Sequence, residues 1–467
     1  MPPRPPFRFR ALPIVTPLFA TACLCACGPE PPSKADLPPD VIVCVIDTLR
    51  ADELAVSGAP ADYAPTIARL AKEGTAFPRA WSHCSWTKPS TISIVTGLVP
   101  LRHNVIDHLQ KLSPDAITLA ERLGGAGWQT AAVVANRALY DDGFRQGFES
   151  FREIGEWIDH SSDQVSSAAR EALEDSDRGR PFFLYVHFLD PHDRYMPPAG
   201  DSLFLPQGPK PTDPQVLNGN LRHFEGDTPV HQEEPPGWSP TPIPLPAGDL
   251  AWMHALYRGE LRAVDRELGA ILAARPASRS NPLLLVITSD HGEAFFEHGM
   301  YRHGWTLHEE VVRVPMLLWG PMVTARSLDG GRIARSIDIV PTILDLLGQP
   351  APAGLDGTSL AGAAADTPTP VHGLTHYHVQ RQSFLVVWPW KLIVDERFGR
   401  HELYDLEADP HETQNRAQQE PERLTSMLEQ EKRLRFAESA AKVGSAEVTG
   451  REREELEEAM RGLGYIK

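Results

Sequence analysis

The sequence predicts an α/β protein built around a large, mostly parallel sheet with helices on both faces, followed by a smaller C-terminal α+β subdomain. Two observations predict this class. Short, continuous apolar runs end at polar residues, as buried parallel strands do, and helical patterns separate these runs along the chain. A chain of 467 residues, 42% of them hydrophobic and 23% charged, is also long enough to bury a large core.

Four apolar runs predict the strands of this sheet. Residues 41–46 (VIVCVI) are continuous and rich in β-branched side chains, which is typical of a strand covered on both faces. The other runs cover residues 127–134, 181–188 (PFFLYVHF) and 283–288 (LLLVIT). Asp47 follows the first run directly, and open α/β sheets carry their sites at the carboxyl ends of their strands. We therefore predict that Asp47 lies at a functional site.

Apolar residues at helical spacing predict helices between the strands. These helices cover residues 65–72, 117–123 and 250–273. The C-terminal part adds two charge-alternating helical segments, over residues 421–436 and 447–463, which we expect to be exposed to solvent.

Composition divides the chain into domains. Residues 201–248 are rich in Pro, Gly and Asp and have no periodicity, which predicts a long surface insertion at the rim of the site. Residues 350–370 are rich in Ala, Gly and Pro and mark a boundary. We therefore predict a main domain over residues 39–350, which contains the insertion, and a C-terminal subdomain over residues 371–467.

The N-terminus predicts export. Residues 1–27 have the pattern of a lipoprotein-type signal peptide, with three arginines before an apolar stretch too short to span a bilayer. Residues 24–27 (LCAC) resemble a bacterial lipobox with Cys27 as the lipidated residue; Cys23 is a competing candidate, and an ordinary cleaved signal peptide is the alternative. Residues 28–38 are then a Pro-rich tether. We expect a lipoprotein of the bacterial cell envelope, facing the periplasm and anchored to the membrane through Cys27.

Charge and cysteine content limit the partners. The formal net charge of −17 argues against nucleic acid as the main partner, although a bound metal would supply the local positive charge that an anionic ester needs. Behind the leader, only Cys44 and Cys84 remain. They allow one disulfide, which a domain of this size does not need, and Cys44 is interpreted as an inert core residue.

Residues 85–97 (SWTKPSTISIVTG) contain the most informative motif. Residues 87–91 fill the five places of the signature C-x-P-S-R, and residues 96–97 close it with Thr-Gly. The stretch resembles the sulfatase family of the alkaline phosphatase superfamily, with Thr87 in the place of the nucleophile. A sulfatase converts the leading Cys, or sometimes Ser, to formylglycine, and Thr cannot be converted in this way. Cys84 is out of register, because Trp86 stands where the motif needs Pro.

Two further segments resemble the metal motifs of the family. Residues 46–52 (IDTLRAD) match the first, with Asp47 as a ligand and Thr48 where sulfatases place a second Asp. Residues 289–293 (SDHGE) match the late motif. The resemblance therefore implies a divalent metal site, and its ligands are Asp47, Thr87, Asp290 and His291. This ligand set favours Zn²⁺ or Mn²⁺, whereas Ca²⁺ prefers more oxygen ligands and remains an alternative.

The resemblance also implies roles around the metal. His192, in HFLDPHDRYMP, matches the family histidine that faces the ester, and His303 occupies a position held by Lys or His. Both are predicted to be catalytic, and either one to protonate the leaving alkoxide. Asn136 and Ala138 replace the Lys and His of the sulfatase sequence G-K-W-H, so two sulfate-binding cations are missing. Asn136 and Lys88 are predicted to contact the substrate.

The resemblance extends over roughly residues 38–418 and implies an alkaline-phosphatase-like α/β/α sandwich. Near the C-terminus, residues 390–394 and 402–415 match its closing strand and turn. Taken singly, the same residues have structural interpretations, since Asp47 alone suits a helix N-cap and DHGE an ordinary turn. His298 and His308 are interpreted as surface residues that bind no metal.

The expected activity is metal-dependent hydrolysis of phosphomono- or phosphodiesters through a phospho-Thr87 intermediate. A divalent cation activates a hydroxyl, as it does for water when it lowers the pKa from about 15.7 to about 7. A formylglycine enzyme eliminates sulfate from a geminal diol, which Thr87 cannot form. The substrate is an anionic ester of a glycan, lipid or small molecule.

Three alternatives remain open at this point. A sulfuric ester hydrolase without formylglycine uses the same site. A phosphoethanolamine-type transferase passes the group to another hydroxyl, although such enzymes usually carry several transmembrane helices and the sequence predicts none. A non-catalytic lipoprotein that binds glycans belongs to another class.

Overall fold

The structure is a computed structural model of the chain. It describes residues 37–141, 143–155, 162–206, 210–212, 246–350, 352–362, 369–377 and 380–444, with the short pieces 446–447, 449–450 and 453–454. The predicted signal peptide, the lipidation site at Cys27 and nearly all of the tether lie outside the described residues. So do most of the insertion at 201–248 and of the segment at 447–463.

The strands are numbered in chain order. They are β1 (Asp40–Ile46), β2 (Thr75–Ala76), β3 (Ala80–Trp81), β4 (Gln110–Lys111), β5 (Gln129–Val134), β6 (Ser150–Glu153), β7 (Phe182–Phe188), β8 (Leu283–Thr288), β9 (Ala294–Phe295), β10 (Tyr301–Arg302), β11 (Met316–Trp319), β12 (Ala334–Arg335), β13 (Val371–Thr375), β14 (Gln382–Val387), β15 (Trp390–Asp395), β16 (Arg400–Asp405) and β17 (Ala446–Glu447).

The α-helices are α1 (Pro65–Glu73), α2 (Thr87–Thr96), α3 (Pro100–His103), α4 (Leu119–Gly125), α5 (Ser162–Asp175), α6 (Ala247–Ala273), α7 (Glu309–Val312), α8 (Pro321–Arg326), α9 (Ile339–Leu346) and α10 (Pro421–Ala440). Short 3₁₀ turns cover Ala51–Glu53, Ala55–Ser57, Arg137–Leu139 and Ser336–Asp338. Among the described helices, none combines the length and the apolar character needed to cross a membrane.

The central sheet has the strand order β2-β11-β8-β1-β7-β5-β6. Strands β8, β1, β7, β5 and β6 run parallel, while β11 pairs antiparallel with β8, and β2 antiparallel with β11. The predicted mostly parallel sheet is therefore confirmed. Strand β1 lies at its centre, between β7 and β8, so the residues that follow these three strands meet at one edge of the sheet.

Helices cover both faces of the sheet, as predicted. On one face Val41, Val43 and Val45 of β1 pack with apolar residues of α2, α4 and α9. On the other face Ile42 and Cys44 pack with residues of α1, α5 and α6. Full burial of one such aliphatic side chain is worth about 1.5–3 kcal/mol. Cys44 is a core residue, and both Cys44 and Cys84 are buried and free.

The C-terminal subdomain is a four-stranded antiparallel sheet, β13-β14-β15-β16, with α10 on one face. Leu385, Leu392 and Leu403 of this sheet pack against Met427 of α10. The opposite face packs on the main domain, where Phe384 and Ile393 share a cluster that also contains Trp81, Leu307 and Val312. The smaller α+β subdomain is therefore present and is joined to the main domain through an apolar interface.

Candidate active site

Three segments bring polar side chains to one edge of the central sheet. Asp47 follows β1, and Asp290 and His291 lie just beyond β8, which is the parallel neighbour of β1. Thr87 is the first residue of α2. The site that was predicted from separate motifs is thus assembled by the pairing of two adjacent parallel strands.

Asp47, Asp290 and His291 are fully buried, and each offers one ligand atom within 4.8 Å of the others. His291 Nε2 lies 3.6 Å from Asp47 Oδ1, 3.5 Å from Asp290 Oδ2 and 3.2 Å from Thr87 Oγ1. Those two carboxylate oxygens have no hydrogen-bond partner among the described residues. Because an unpaired buried carboxylate is costly, the donor set fits a divalent cation between these groups.

Each carboxylate is held through its other oxygen. Asp47 Oδ2 accepts a hydrogen bond from Asn136 Nδ2 at 2.7 Å and lies 3.3 Å from His187 Nε2. Asp290 Oδ1 accepts from the main-chain N–H of His291 at 2.9 Å. This arrangement orients one oxygen of each carboxylate toward the shared space, as hydrogen bonds behind metal ligands do.

The two carboxylates differ in their electrostatics. Burial alone would raise the pKa of Asp47, but the hydrogen bond with His187 and the nearby His192 and His291 lower it to about 2. Burial and the negative charge of Asp47 raise the pKa of Asp290. Two carboxylates at this spacing repel each other, and a divalent cation between them removes that repulsion.

Thr87 carries a hydroxyl in direct contact with this group. Its Oγ1 lies 3.2 Å from His291 Nε2 and accepts a hydrogen bond from Asn136 Nδ2 at 3.5 Å. No side chain caps the N-terminus of α2, where Trp86 is extended, so the positive end of the helix dipole is directed at the position of Thr87. This position therefore favours negative charge on the nucleophile or on a bound anion.

His192 and His303 lie beside the ligand group, where they were predicted. The His303 ring centroid is 4.4 Å from that of His291 and 4.9 Å from that of His192. His303 Nδ1 is 3.0 Å from Glu293 Oε1, and His192 Nδ1 is 2.7 Å from the Asp193 carbonyl. Burial lowers the pKa of both rings, so both rings are neutral and must gain a proton before either can act as an acid.

Lys88 and Asn136 are engaged within the protein. Lys88 Nζ lies 2.8 Å from Asp141 Oδ2 and donates to the His108 carbonyl at 3.2 Å. The amide of Asn136 holds both Asp47 and Thr87. Their predicted contacts with substrate stay predictions, while the contacts of Asn136 orient Asp47 and Thr87.

Two residues of the site were not predicted from the sequence. His187 is the next-to-last residue of a buried apolar run and contacts Asp47, and a polar residue inside such a run is the available sequence signal. Glu293 lies inside the SDHGE motif, is fully buried, and accepts a hydrogen bond from Tyr195 Oη at 3.1 Å while it contacts His303. No local pattern connects Glu293 to His303, because the contact depends on the turn between them.

A second histidine group lies where the subdomain meets the main domain. The rings of His298 and His308 stack with centroids 3.7 Å apart and planes 5° from parallel. His298 Nδ1 is 2.8 Å from Glu310 Oε1, and His308 Nε2 is 3.0 Å from Glu402 Oε2. The surface interpretation of His308 was wrong, since it is 8% exposed, because Glu402 of β16 covers it. One ligand atom of each of His298, His308 and Glu310 lies within 4.8 Å of the others, and Glu402 ties the group to the C-terminal sheet.

Comparison with known proteins identifies the family. A model of the sulfatase family matches residues 39–349, and a model of the C-terminal region of N-sulphoglucosamine sulphohydrolase matches residues 296–437. The fold and its site are therefore those of an ester-hydrolysing enzyme of the alkaline phosphatase superfamily. More narrowly, the chain belongs to the sulfatase family.

Individual relatives are distant but cover most of the chain. An N-acetylglucosamine-6-O-sulfatase of Bacteroides thetaiotaomicron is 22% identical over 487 residues, which cover 85% of this chain and 86% of the relative. A solved structure of a protein in complex with its substrate D-glucosamine-2-N,6-O-disulfate matches with a TM-score of 0.69 and 20% sequence identity. The match covers 87% of this chain and 99% of that protein's chain. A phosphonate monoester hydrolase of Agrobacterium radiobacter has a TM-score of 0.67 at 19% identity, with coverages of 86% and 96%.

Proposed function

We propose that the protein hydrolyses phosphomono- or phosphodiesters with Thr87 as the nucleophile and a divalent cation, Zn²⁺ or Mn²⁺, as cofactor. One observation carries this proposal: the Thr87 hydroxyl lies 3.2 Å from His291 Nε2 in the place where a sulfatase carries formylglycine. A bound cation would stabilise the alkoxide of Thr87 and the charge of the ester.

The residues of the chain then have defined tasks. Asn136 holds the Thr87 oxygen, which attacks phosphorus and forms a phospho-Thr87 ester while the bond to the leaving alkoxide breaks. As Thr87 attacks, its hydroxyl proton passes to His192 or His303, and that imidazolium then protonates the leaving alkoxide. Water then attacks phosphorus and returns one proton to the Thr87 oxygen, which releases inorganic phosphate from a monoester or the remaining phosphomonoester from a diester.

Phosphorus is favoured over sulfur because of how each intermediate would be released. Thr87 has one oxygen on its β-carbon, so a sulfo-Thr87 ester cannot lose sulfate by elimination from a geminal diol and would have to be hydrolysed at sulfur. Thr48, Asn136 and Ala138 also stand where sulfatases carry a carboxylate and two cations. A phosphate monoester dianion gains more from a cationic site than a singly charged sulfate ester does.

A sulfuric ester hydrolase is the second candidate, and the similarity to an N-acetylglucosamine-6-O-sulfatase favours it. The similarity to a phosphonate monoester hydrolase supports phosphorus instead. With either activity, we propose a phosphorylated or sulfated glycan as the substrate class, because two of the similar proteins are an N-acetylglucosamine-6-O-sulfatase and a structure in complex with D-glucosamine-2-N,6-O-disulfate.

Trapping of the intermediate tests the proposal. The metal-loaded enzyme is mixed with a phosphate ester and quenched in acid, and the peptides are analysed by mass spectrometry. We expect a phosphate on Thr87 that appears only after substrate is added and that is absent from the Thr87→Ala protein. A covalent group on another residue of the site would overturn the assignment.

We also propose that the protein is exported and anchored through Cys27, on the basis of the lipobox-like LCAC sequence. Mass spectrometry of the mature N-terminus decides this, because an unmodified residue beyond Cys27 would mean a protein that is secreted without a lipid.

A further inference from the structure

We propose that four ring side chains beside the nucleophile form a leaving-group subsite, which selects esters of cyclic alcohols over esters of open-chain alcohols. The proposal rests on the hydrolase function proposed above, because it describes the alcohol that the same site releases. The four side chains are here called the aromatic wall: Trp86, His108, Trp305 and Tyr377.

The aromatic wall is continuous. The ring centroid of Trp86 lies 4.4 Å from His108 and 5.8 Å from Tyr377, and Tyr377 lies 5.6 Å from His108 and 5.4 Å from Trp305. These are the separations at which aromatic rings attract one another. Trp86 and Tyr377 are each 3% exposed, whereas His108 and Trp305 are partly exposed. The wall therefore runs from the interior to solvent.

The wall adjoins the reacting groups through the chain itself. Trp86 directly precedes Thr87, and Trp305 follows His303 by two residues. The main-chain N–H of Gly304 donates to the Ser85 carbonyl at 2.8 Å. This hydrogen bond ties the segment that carries His303 to the segment that carries Thr87, so the rings on both segments flank the same site.

Tyr377 reaches this place because residue 304 is a glycine. A β-carbon on Gly304 would lie 2.5 Å from the Tyr377 ring, and Gly304 also has a φ of +85°. The Thr375 hydroxyl donates to the Gly304 carbonyl at 3.0 Å and fixes the start of the segment that carries Tyr377. The C-terminal subdomain thus contributes one ring to a wall that otherwise belongs to the main domain.

Lys88 positions His108, the remaining residue of the aromatic wall. Its ammonium group donates to the His108 carbonyl at 3.2 Å and lies 2.8 Å from Asp141. Nearby, β4 pairs with β17, which fixes the loop that carries His108 from the other side. A buried lysine next to the nucleophile therefore acts on the wall, through the position of His108.

The wall also contains an unused hydrogen-bond donor. The indole Nε1 of Trp86 is buried and has no hydrogen-bond partner among the described residues. Leaving a buried donor unpaired costs about 1–3 kcal/mol. Packing alone explains the burial of Trp86 and Tyr377. It does not explain why Trp86 Nε1 has no hydrogen-bond partner among the described residues, or why Trp305, next to His303, is partly exposed.

A cyclic alcohol matches this surface. The face of a six-membered ring, aromatic or saturated, covers the partly exposed rings of His108 and Trp305, which the buried rings of Trp86 and Tyr377 support. Glycerol and ethanolamine have no such face. The geometry thus favours release of a cyclic alcohol over the handling of an ethanolamine ester.

Four phosphate monoesters of primary alcohols test this, since their leaving groups have similar basicity. They are benzyl, cyclohexylmethyl and n-heptyl phosphate, and glucose 6-phosphate. We expect kcat/KM for at least one ring ester to exceed that for the n-heptyl ester by about fivefold to tenfold. The three ring esters distinguish an aromatic, an apolar saturated and a hydroxylated ring. Equal values for ring and open-chain esters would overturn the proposal.

Variants locate the effect. Trp305→Ala should reduce the ring-to-chain ratio to below about twofold, while the wild-type metal content is retained. Trp390→Ala removes the same side chain from a partly buried position in the C-terminal sheet and should leave the ratio unchanged. If Trp305→Ala lowers kcat/KM for all four esters by the same factor, the wall is only a structural support and the proposal is wrong.

The wall and the phosphoester chemistry can fail separately. If no phosphate is released, the sulfate esters of the same alcohols are assayed, and a ring preference there keeps the wall while the phosphoester function is lost. If neither set is hydrolysed, the Kd values of the four phosphates are measured by calorimetry. Equal Kd values for ring and chain compounds then reject the wall.

Discussion

At the scale of single residues, the site depends on how one amide is used. Asn136 Nδ2 donates to Asp47 Oδ2 at 2.7 Å and to Thr87 Oγ1 at 3.5 Å. The same group therefore orients Asp47 and Thr87, which we propose as a metal ligand and the nucleophile. Asn136, which stands where sulfatases have a lysine that binds sulfate, therefore positions Thr87 here.

Thr87→Ala should lower kcat by about three orders of magnitude or more, because it removes the attacking oxygen. Thr87→Ser retains that oxygen and should keep measurable activity. Both proteins should unfold at the wild-type temperature and are assayed at equal metal content. Wild-type turnover by Thr87→Ala at equal metal content would rule out this residue as nucleophile.

Asp290→Asn should weaken metal binding by about 100-fold or more, since it removes a charged ligand and changes the shape little. The measurement is metal affinity by competition with a chelator, followed by elemental analysis. Asp62→Asn, at an exposed position, is the matched control and should bind metal as the wild type does. Full metal occupancy in both Asp290→Asn and Asp62→Asn would contradict the assignment of Asp290 as a metal ligand.

At the scale of elements, the sequence predicts what is encoded locally. β8 has the bounds that its apolar run predicts, and β1 adds only Asp40. Helix α4 begins at Leu119, two residues later than predicted, because Thr118 and Glu121 form a capping box. The contacts of His187 with Asp47 and of Glu293 with His303 were not predictable, because each joins residues through tertiary structure.

The contact of α10 with β13 makes stability depend on pH. Burial alone would lower the pKa of His372, but Glu431 and Glu438 of α10 raise it to about 9. Because this exceeds the unfolded value of about 6.5, the stabilisation is complete below pH 6.5 and is lost as pH rises through 9.

His372→Gln should therefore lower the free energy of unfolding by about 2–3 kcal/mol at pH 6, and by much less at pH 10. Urea unfolding at both values measures this. His401→Gln, on the exposed part of β16, is the control. A deficit that does not change with pH would show that the charge of His372 is not involved.

At the scale of the whole molecule, buried charges join the subdomain to the main domain. Lys391 of β15 lies 2.8 Å from Glu309 and 2.9 Å from Glu412, and all three are buried. The neighbouring His308–Glu402 pair crosses the same interface, and His298 Nε2 lies 3.1 Å from the Glu412 carbonyl across it. The C-terminal sheet is therefore fixed to the domain that carries Thr87. This attachment also holds Tyr377 in place.

Lys391→Met should destabilise the protein by about 3–5 kcal/mol, because it leaves two buried carboxylates without a cation. Chemical unfolding measures the change, and Lys432→Met on the exposed face of α10 should have little effect. A loss below about 1 kcal/mol would mean that this charge cluster does not hold the interface.

We propose that a Thr nucleophile directs this sulfatase-family site to phosphorus. The most direct measurement compares three esters on the purified protein loaded with Zn²⁺ or Mn²⁺. They are p-nitrophenyl phosphate, a p-nitrophenyl phosphodiester and p-nitrophenyl sulfate, and all three release p-nitrophenol. We predict a higher kcat/KM for at least one of the two phosphoesters than for the sulfate, and loss of that activity in Thr87→Ala. Faster release from the sulfate than from both phosphoesters would contradict the account and identify a sulfuric ester hydrolase that works without formylglycine.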